Sequence, residues 1–395
     1  NVVGNFKKDE RINYFYCKFF MKIAIIGGGI GGLTLANCLQ NSKIQFTLYE
    51  KAKQLTDVGA GIGISESAYE LLKELGLGND IIEKSNFVQD AIIVNKAGKT
   101  IRKLPIKNGG FCIHRAELIN ILSKKLDSEK IKLNYEIENF VTAENNVKLT
   151  FKNEQTATYD YVFVSDGINS KFRNQLFPNI KKRYSGQTVW RGISNCELSH
   201  NFQNSYLEFW GENLRFATIP LNKKQYYWYA CEYAREGEVD NELTIKTELQ
   251  KKFKNYNSEL KQVIEKTDII IRNDMCDLKP HNENWHKNNV VFIGDSIHAT
   301  TANLAQGGCQ AIEDAFTITK LITAKGFSNE VFSDYKNIRK AKVNYIINQS
   351  WNYGKISHQG NKLMEVIIHN LFKILPNKIF ENQYSKLIDL EYLRK

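Results

Sequence analysis

The chain has 395 residues, 42% hydrophobic and 12% aromatic, with a formal net charge of +11. That length predicts two or three domains, and the composition excludes a disordered or fibrous chain. The basic residues are scattered among Asn, Glu and Asp and form no dense runs with interleaved aromatics, which argues against a nucleic-acid partner. The seven cysteines (17, 38, 112, 196, 231, 276 and 309) form no CxxC pair, so neither a disulfide framework nor a metal site is indicated and a reducing cytoplasm is expected. No stretch reaches the roughly 18 uncharged apolar residues of a spanning helix, so stable membrane insertion is not expected.

Met21 directly precedes the first strand, so residues 1–20 are expected to be an extension outside the fold. The rival reading is a signal peptide, with Lys18 and Lys22 before an apolar run, but it would discard the glycine turn that follows. Lys22–Ile26 reads as a strand, Leu33–Leu39 as the body of a helix and Gln45–Glu50 as the next strand, the opening of a doubly wound sheet. Residues 66–84 read as helical. Ala91–Val94 and Thr100–Leu104 form a hairpin around Asn95-Lys96-Ala97-Gly98, and Arg115–Leu126 an amphipathic helix. Tyr159–Val164 lacks alternation, which predicts burial on both faces. From about 178 to 275 short aromatic strands appear, among them Leu214–Pro220 and Gln225–Tyr233, predicting a second, antiparallel sheet. Asn289–Ile293 returns to a buried strand, Gln310–Thr323 reads as a helix, and the pattern stays helical from Phe332 onward. The expected division is 21–90, 110–177 and 280–325 for the nucleotide-binding domain, 91–109 and 178–279 for a substrate domain, and 326–395 for C-terminal helices.

Gly27, Gly29 and Gly32 form a GxGxxG turn between strand and helix. The first glycine allows the tight turn, the second lets pyrophosphate approach the backbone and the third lets helix pack on strand. The helix N-terminus offers free N–H groups to an anion. Glu50, 18 residues beyond Gly32, ends the second strand, where a carboxylate accepts ribose hydroxyls. Gly31 and Lys51 complete the expected dinucleotide contacts. This motif alone does not separate NAD from FAD.

Two later motifs do. Asp166-Gly167-Ile168-Asn169-Ser170-Lys171-Phe172-Arg173 follows one buried strand, and Gly294-Asp295 the other, with Gln306-Gly307-Gly308 opening the next helix. In this order the three motifs resemble the fingerprints of single-component FAD-dependent aromatic hydroxylases, the class A flavoprotein monooxygenases, from about Met21 to His358. The wording Thr188-Val189-Trp190-Arg191-Gly192 and His298-Ala299-Thr300-Thr301 is similar to the branch of salicylate, urate and 3-hydroxybenzoate hydroxylases and zeaxanthin epoxidase. Tetracycline-inactivating monooxygenases are more distant.

The resemblance implies an α/β fold with a Rossmann-like FAD-binding domain of the p-hydroxybenzoate hydroxylase type, an inserted antiparallel-sheet substrate domain and C-terminal helices. It implies FAD as cofactor, NADPH or NADH as co-substrate, and transfer of one oxygen atom from O2 to an aromatic ring through a flavin hydroperoxide. Asp295 would accept a ribitol hydroxyl, and the N–H groups at Gly307 and Gly308 would face the flavin ring. Arg115 would reach the FAD, Gly61 would approach its edge, and Asp166 and Arg173 would handle pyrophosphate. Arg191 is the candidate for pairing an anionic substrate, with Trp190, Phe216, Trp228 and Tyr229 lining the pocket. His298, Glu313 and Asp314 read as structural. Ala302 stands where the family has proline, which puts the stiffness of that loop in doubt. A monomer or homodimer is expected. The alternatives are an epoxidase or monooxygenase of an isoprenoid or polycyclic antibiotic-like compound, and a non-catalytic flavin-binding regulator. The helices after 355, with Met364, Val366, Ile367, Leu371 and Phe372, are expected to pack on the FAD domain; an exposed apolar face there would favour a lipid substrate.

Overall fold

The computed structural model describes residues 21–55, 60–358 and 360–394, and for Pro105, Lys107 and Asn108 the backbone alone. Residues 1–20 and Gly59, for which expectations were formed, lie outside the described residues.

The first sheet has six strands in the order Ile131–Leu133, Thr47–Glu50, Ile23–Ile26, Tyr161–Val164, Val290–Phe292 and His286–Lys287. All neighbours are parallel except the last pair. The three central strands are apolar and, apart from the half-buried Tyr161, buried, the pattern of strands covered on both faces. Their register aligns Ile26 with Val164 and Val164 with Phe292. Backbone bonds continue past the strand ends, from Ser165 N to Ile26 O and from Ile293 N to Val164 O. From the first strand the chain moves to Thr47–Glu50 on one side and later to Tyr161–Val164 on the other. That reversal opens a crevice at the carboxyl ends of the strands, where such sheets bind ligands.

The second sheet has eight strands in the order Ile271–Leu278, Lys182–Asn195, Gln225–Tyr233, Leu214–Asn222, Ser205–Gly211, Ser85–Asn95, Thr100–His114 and Gly61–Ile64. It is antiparallel except for Ser205–Gly211, which runs parallel to Ser85–Asn95. The hairpin expected over Ala91–Leu104 is therefore longer than its turn signals implied, and it forms one side of this sheet. A three-stranded antiparallel meander, Ile137–Thr142, Val147–Phe151 and Thr156–Tyr159, is a further element that the sequence reading did not single out.

Side chains on a strand alternate between faces, so the second sheet separates two sets of aromatics. On one face Trp190, Phe209, Phe216 and Trp228 form a core with Leu249 and Val263 from the helices Ile245–Lys252 and Glu259–Glu265. Phe216 and Trp228 stack at 5.2 Å between centroids, and the Trp190 indole N–H donates to Asp240. On the other face stand Arg191, Tyr206, Glu208, Arg215, Tyr227 and Tyr229.

The helix Gly307–Lys325 starts three residues earlier than expected and packs on Ile30–Asn41 and on Asn329–Ser357. A buried ion network ties it to the C-terminal region. Arg339 donates to Asp314 at 2.8 Å, to Glu313 at 2.6 Å and to Gln310 Oε1 at 2.7 Å. Lys342 also pairs with Glu313 at 2.8 Å, and Tyr392 donates to the same carboxylate. Removing one partner of such a network leaves uncompensated charge in a place where water cannot reach it. Arg339→Leu is expected to cost about 3–5 kcal/mol of stability, read by denaturant unfolding. A loss under about 1 kcal/mol would show the network to be solvated.

Candidate functional site

The glycine turn leaves the first strand at its carboxyl end. Gly27 has φ +104°, and a Cβ there would stand 2.3 Å from the Ser165 carbonyl oxygen. A Cβ on Gly32 would stand 1.9 Å from the Gly27 carbonyl oxygen. Both positions therefore require glycine for packing. Gly29 differs, since nothing lies within 4 Å of its would-be Cβ and the turn is open on that side. This is the side from which a pyrophosphate would approach. Gly31 sits against Ala311 of the helix Gly307–Lys325. Glu50 accepts from Gly28 N at 2.6 Å and from Ala52 N at 2.8 Å, so its carboxylate is held at the mouth of the turn, with Lys51 exposed beside it.

The other two motifs leave the neighbouring strand ends. Asp166 accepts from Lys171 N at 3.2 Å, while its Oδ1 is buried without a hydrogen-bond partner. Burial pushes this carboxyl up to about 6, against the pull of hydrogen bonds and of Arg173. Arg173 is not a surface charge. It is buried and donates to Ser296 O at 3.0 Å and Ile168 O at 2.7 Å, tying the second motif to the third. Gly294, at φ +58°, donates its N–H to Asp314 Oδ2 at 2.8 Å, and His298 Nε2 lies 2.6 Å from the same oxygen. Burial alone would raise the Asp314 carboxyl, but His298 and Arg339 outweigh it and hold it well below the usual range. His298, Glu313 and Asp314 thus serve the scaffold that aims Asp295.

Asp295 is open to solvent, yet protein surrounds it closely enough that burial pushes its carboxyl up, with His298 and Arg115 pulling it back. Asp295 follows the strand Val290–Phe292, at the carboxyl ends of the strands where the crevice opens. Arg115 opens the helix Arg115–Lys124, its backbone N–H bonded to Ala60 O at 2.9 Å. A Cβ on Gly307 would lie 3.5 Å from Asp295 Oδ1, and one on Gly308 would meet Ile62 and Ile30. The N-cap Gln306 contributes no side-chain cap, so the first N–H groups of the helix Gly307–Lys325 are offered to the cleft. The open side of Gly29, the partnerless Asp166 Oδ1 and this uncapped helix all fit a long anionic dinucleotide such as FAD.

The loop holding Ala302 is fastened without the family proline. Asn303 accepts from Arg215 and donates to Ser350 O at 3.0 Å and to Thr301 Oγ1 at 3.1 Å, and Ser350 Oγ donates to Thr301 O at 2.7 Å. Side-chain hydrogen bonds take the place of ring rigidity.

The second sheet meets this cleft at the strand Gly61–Ile64, where a Cβ on Gly61 would lie 2.5 Å from the Tyr227 ring. Arg191 stands on the same face, opposite Tyr229 across the strands, and its Nε is buried without a partner. Tyr229 meets the Tyr206 hydroxyl, and Tyr206 and Tyr353 donate to Glu208, which pairs with Arg215 at 2.9 Å. Burial, and then the Glu208 charge, push all three phenols well above their ordinary value and keep them protonated. Trp190, Phe216 and Trp228 do not line this face. They alternate with Arg191, Arg215 and Tyr229 along their strands, so a pocket facing the cleft takes one set and excludes the other. Tyr227, Tyr206 and the apolar group Val88, Ala217, Ile219 and Leu221 belong to the cleft side instead. Period-two alternation in Gln225–Tyr233 was the signal that could have found Tyr227.

The fold and these three motifs define a dinucleotide-binding flavoprotein. The chain belongs to the family described as "FAD binding domain", matched over residues 21–350, which is the family of the class A FAD-dependent aromatic hydroxylases. It is 30% identical over 367 residues to the aurachin C monooxygenase/isomerase of Stigmatella aurantiaca, covering 90% of this chain and 95% of that protein. It is 25% identical to the 2-heptyl-3-hydroxy-4(1H)-quinolone synthase of Pseudomonas aeruginosa, covering 93% of this chain and 97% of that one. The crystal structure of Klebsiella pneumoniae HpxO with FAD and uric acid superposes with a TM-score of 0.85 at 20% identity, over 94% of this chain and 97% of that one, a likeness of fold.

The position of Asp166 makes a pH prediction for the FAD-free protein. Its folded value of about 6 lies above the ordinary carboxyl value of 3.8. Between those values the folded state holds the extra proton, so stability falls as pH rises from about 4 to about 6. Asp166→Asn is expected to flatten that slope and raise stability at neutral pH. An unchanged slope in urea titrations across this range would assign it to other groups.

Proposed function

We propose that this chain is an NAD(P)H-consuming FAD monooxygenase that inserts one oxygen atom from O2 into an aromatic or heteroaromatic small molecule. The observation that carries this reading is the meeting of a cofactor cleft and an aromatic, arginine-bearing face at one strand, Gly61–Ile64, through Tyr227. Bound FAD would supply the redox chemistry, accepting hydride from NAD(P)H and activating dioxygen.

The residues divide the remaining work. Gly29 receives the pyrophosphate in the turn that Gly27, Gly31 and Gly32 pack into place, and Glu50 with Lys51 receives the adenosine ribose. Asp295 accepts a ribitol hydroxyl, Asp166 stands by the pyrophosphate, and Arg115 reaches the FAD. The N–H groups at Gly307 and Gly308 face the flavin, where the positive end of the helix dipole favours added negative charge. Gly61 brings backbone to the ring edge. Arg191 orients the substrate by charge-assisted hydrogen bonding, with Tyr227 and Tyr229 against its ring. Segments 21–90, 110–177 and 280–325 act as the cofactor domain, and 91–109 with 178–279 as the substrate domain.

A ring compound with an alkyl substituent is the substrate class we favour. The name of the Pseudomonas relative specifies a heptyl-bearing hydroxyquinolone. On this chain the group Val88, Ala217, Ile219 and Leu221 offers an apolar bed beside Tyr227 and Tyr229.

The test is a screen of quinolones, phenols and purines with the FAD-loaded protein, reading NAD(P)H oxidation and product mass together. Substrate-dependent oxidation with a product heavier by one oxygen atom is expected. No oxidation above background with any ring compound, despite bound FAD, would leave a flavin-binding protein without this activity. With an active substrate, Arg191→Ala is expected to raise KM about 10- to 100-fold with FAD content unchanged, the range for losing one charge-assisted hydrogen bond.

A further inference from the structure

The helix Lys362–Ile374 packs by one side only. Ile368 and Phe372 sit against Trp210, with Phe372 edge-on at 5.0 Å between centroids. Arg102 donates to the Phe372 and Lys373 carbonyls at the end of the helix. The expectation that this region packs on the FAD domain is corrected: the covered side lies on Trp210 and Arg102, in the segments expected for the substrate domain. The opposite side is apolar and uncovered, with Leu363, Val366, Ile367, Leu371 and Ile374 between 45 and 77% exposed. Positions 363, 367, 371 and 374 follow the spacing of one helical face, so they form a continuous stripe over three turns. Five large exposed apolar side chains on one short face are more than scattered surface residues explain.

The exposed charges of the helix Lys362–Ile374 have one sign. Lys362 and Lys373 are eleven residues apart, roughly three turns, and so flank the same edge of the stripe. Both are exposed, as is Lys378 at the start of the helix Asn377–Ile388. Glu365, the carboxylate of the helix Lys362–Ile374, is turned inward and buried. An apolar face flanked by exposed lysines, with the carboxylate of the helix itself turned inward, matches an anionic lipid surface. The acyl boundary accepts the stripe and the headgroups accept the ammonium groups. Among the described residues no helix is long and apolar enough to cross a membrane, so the helix would lie in the interface plane.

We propose that the Lys362–Ile374 helix docks this protein reversibly on anionic lipid surfaces. The placement suits the substrate class favoured above. Trp210 lies on the same sheet face as Tyr206 and Glu208, so the helix sits on the side of the sheet that carries the aromatic, arginine-bearing face. An alkyl-bearing ring compound partitioned into lipid would be near that face when the helix is docked.

The experiment is vesicle co-sedimentation of the FAD-loaded, full-length protein, with phosphatidylglycerol-containing and pure phosphatidylcholine vesicles, at low and high salt. Binding is read without turnover, so the lipid proposal and the monooxygenase reading fail separately. Binding to the anionic vesicles that weakens with salt is expected. The variant Leu363→Gln/Ile367→Gln/Ile374→Gln is expected to bind about tenfold more weakly or worse, with FAD absorbance and melting temperature unchanged, because the substituted side chains touch no core. Lys362→Glu/Lys373→Glu, a second and independent variant, is expected to lose the preference for anionic vesicles. Absence of wild-type binding, or equal binding by the triple variant, overturns the proposal. A wild-type dimer in lipid-free buffer that the triple variant converts to monomer, without vesicle binding, overturns it in favour of a second copy of this chain.

Discussion

The candidate site depends on one constraint, the in-register pairing of three short parallel strands. Ile26, Val164 and Phe292 stand side by side, and each strand releases its chain at the same edge. Three motifs far apart in the chain therefore emerge within a few ångströms of one another. A slip of one residue would exchange the side chains packed on the two covered faces and break the fit of both, so the core that stabilises the sheet also places Gly27, Asp166 and Asp295. The Arg173 bond to Ser296 O and the Asp314 bonds to Gly294 and His298 then fasten the turns that follow the strands.

Buried polar networks do the fastening at the next level. Arg339 spans Glu313, Asp314 and Gln310 between two helices, and Asp314 passes that restraint to the Gly294 turn. On the far side of the cleft Glu208 gathers Arg215, Tyr206 and Tyr353, and Arg215 reaches Asn303 in the loop beside it. Each network would be costly to break because its members are dry. The Ala302 loop shows the consequence, since hydrogen bonds to Ser350 and Arg215 hold a segment for which proline is the family's solution.

The second sheet gives the cleft its other wall through alternation. One set of aromatics, with Trp190, Phe216 and Trp228, builds a core against two short helices. The other, with Tyr227, Tyr229 and Tyr206, turns toward the cofactor side beside Arg191 and Arg215. A bulky aromatic is a plausible pocket residue by type alone, and only its parity along the strand says which way it points. The same rule places Trp210 and the amphipathic helix above it on the cleft side.

Much of this was present in the chain itself. Glycine spacing, the acid after the second strand and the two later motifs follow from local chemistry: a turn that no Cβ fits and a strand end that must offer an anion site. Sequence therefore settled the class of fold, the cofactor family and the residues at the three strand ends. It did not reveal the parallel pairing of Ser205–Gly211 with Ser85–Asn95, because partners more than 100 residues apart leave no local signal. It also left out Arg339, Arg215 and Glu208, whose burial is decided by helices and strands meeting from distant parts of the chain. Which face of the second sheet looks toward the cleft, and which side of the Lys362–Ile374 helix remains bare, were decided by tertiary packing. Two-sided amphipathic elements carry both options until something else covers one of them.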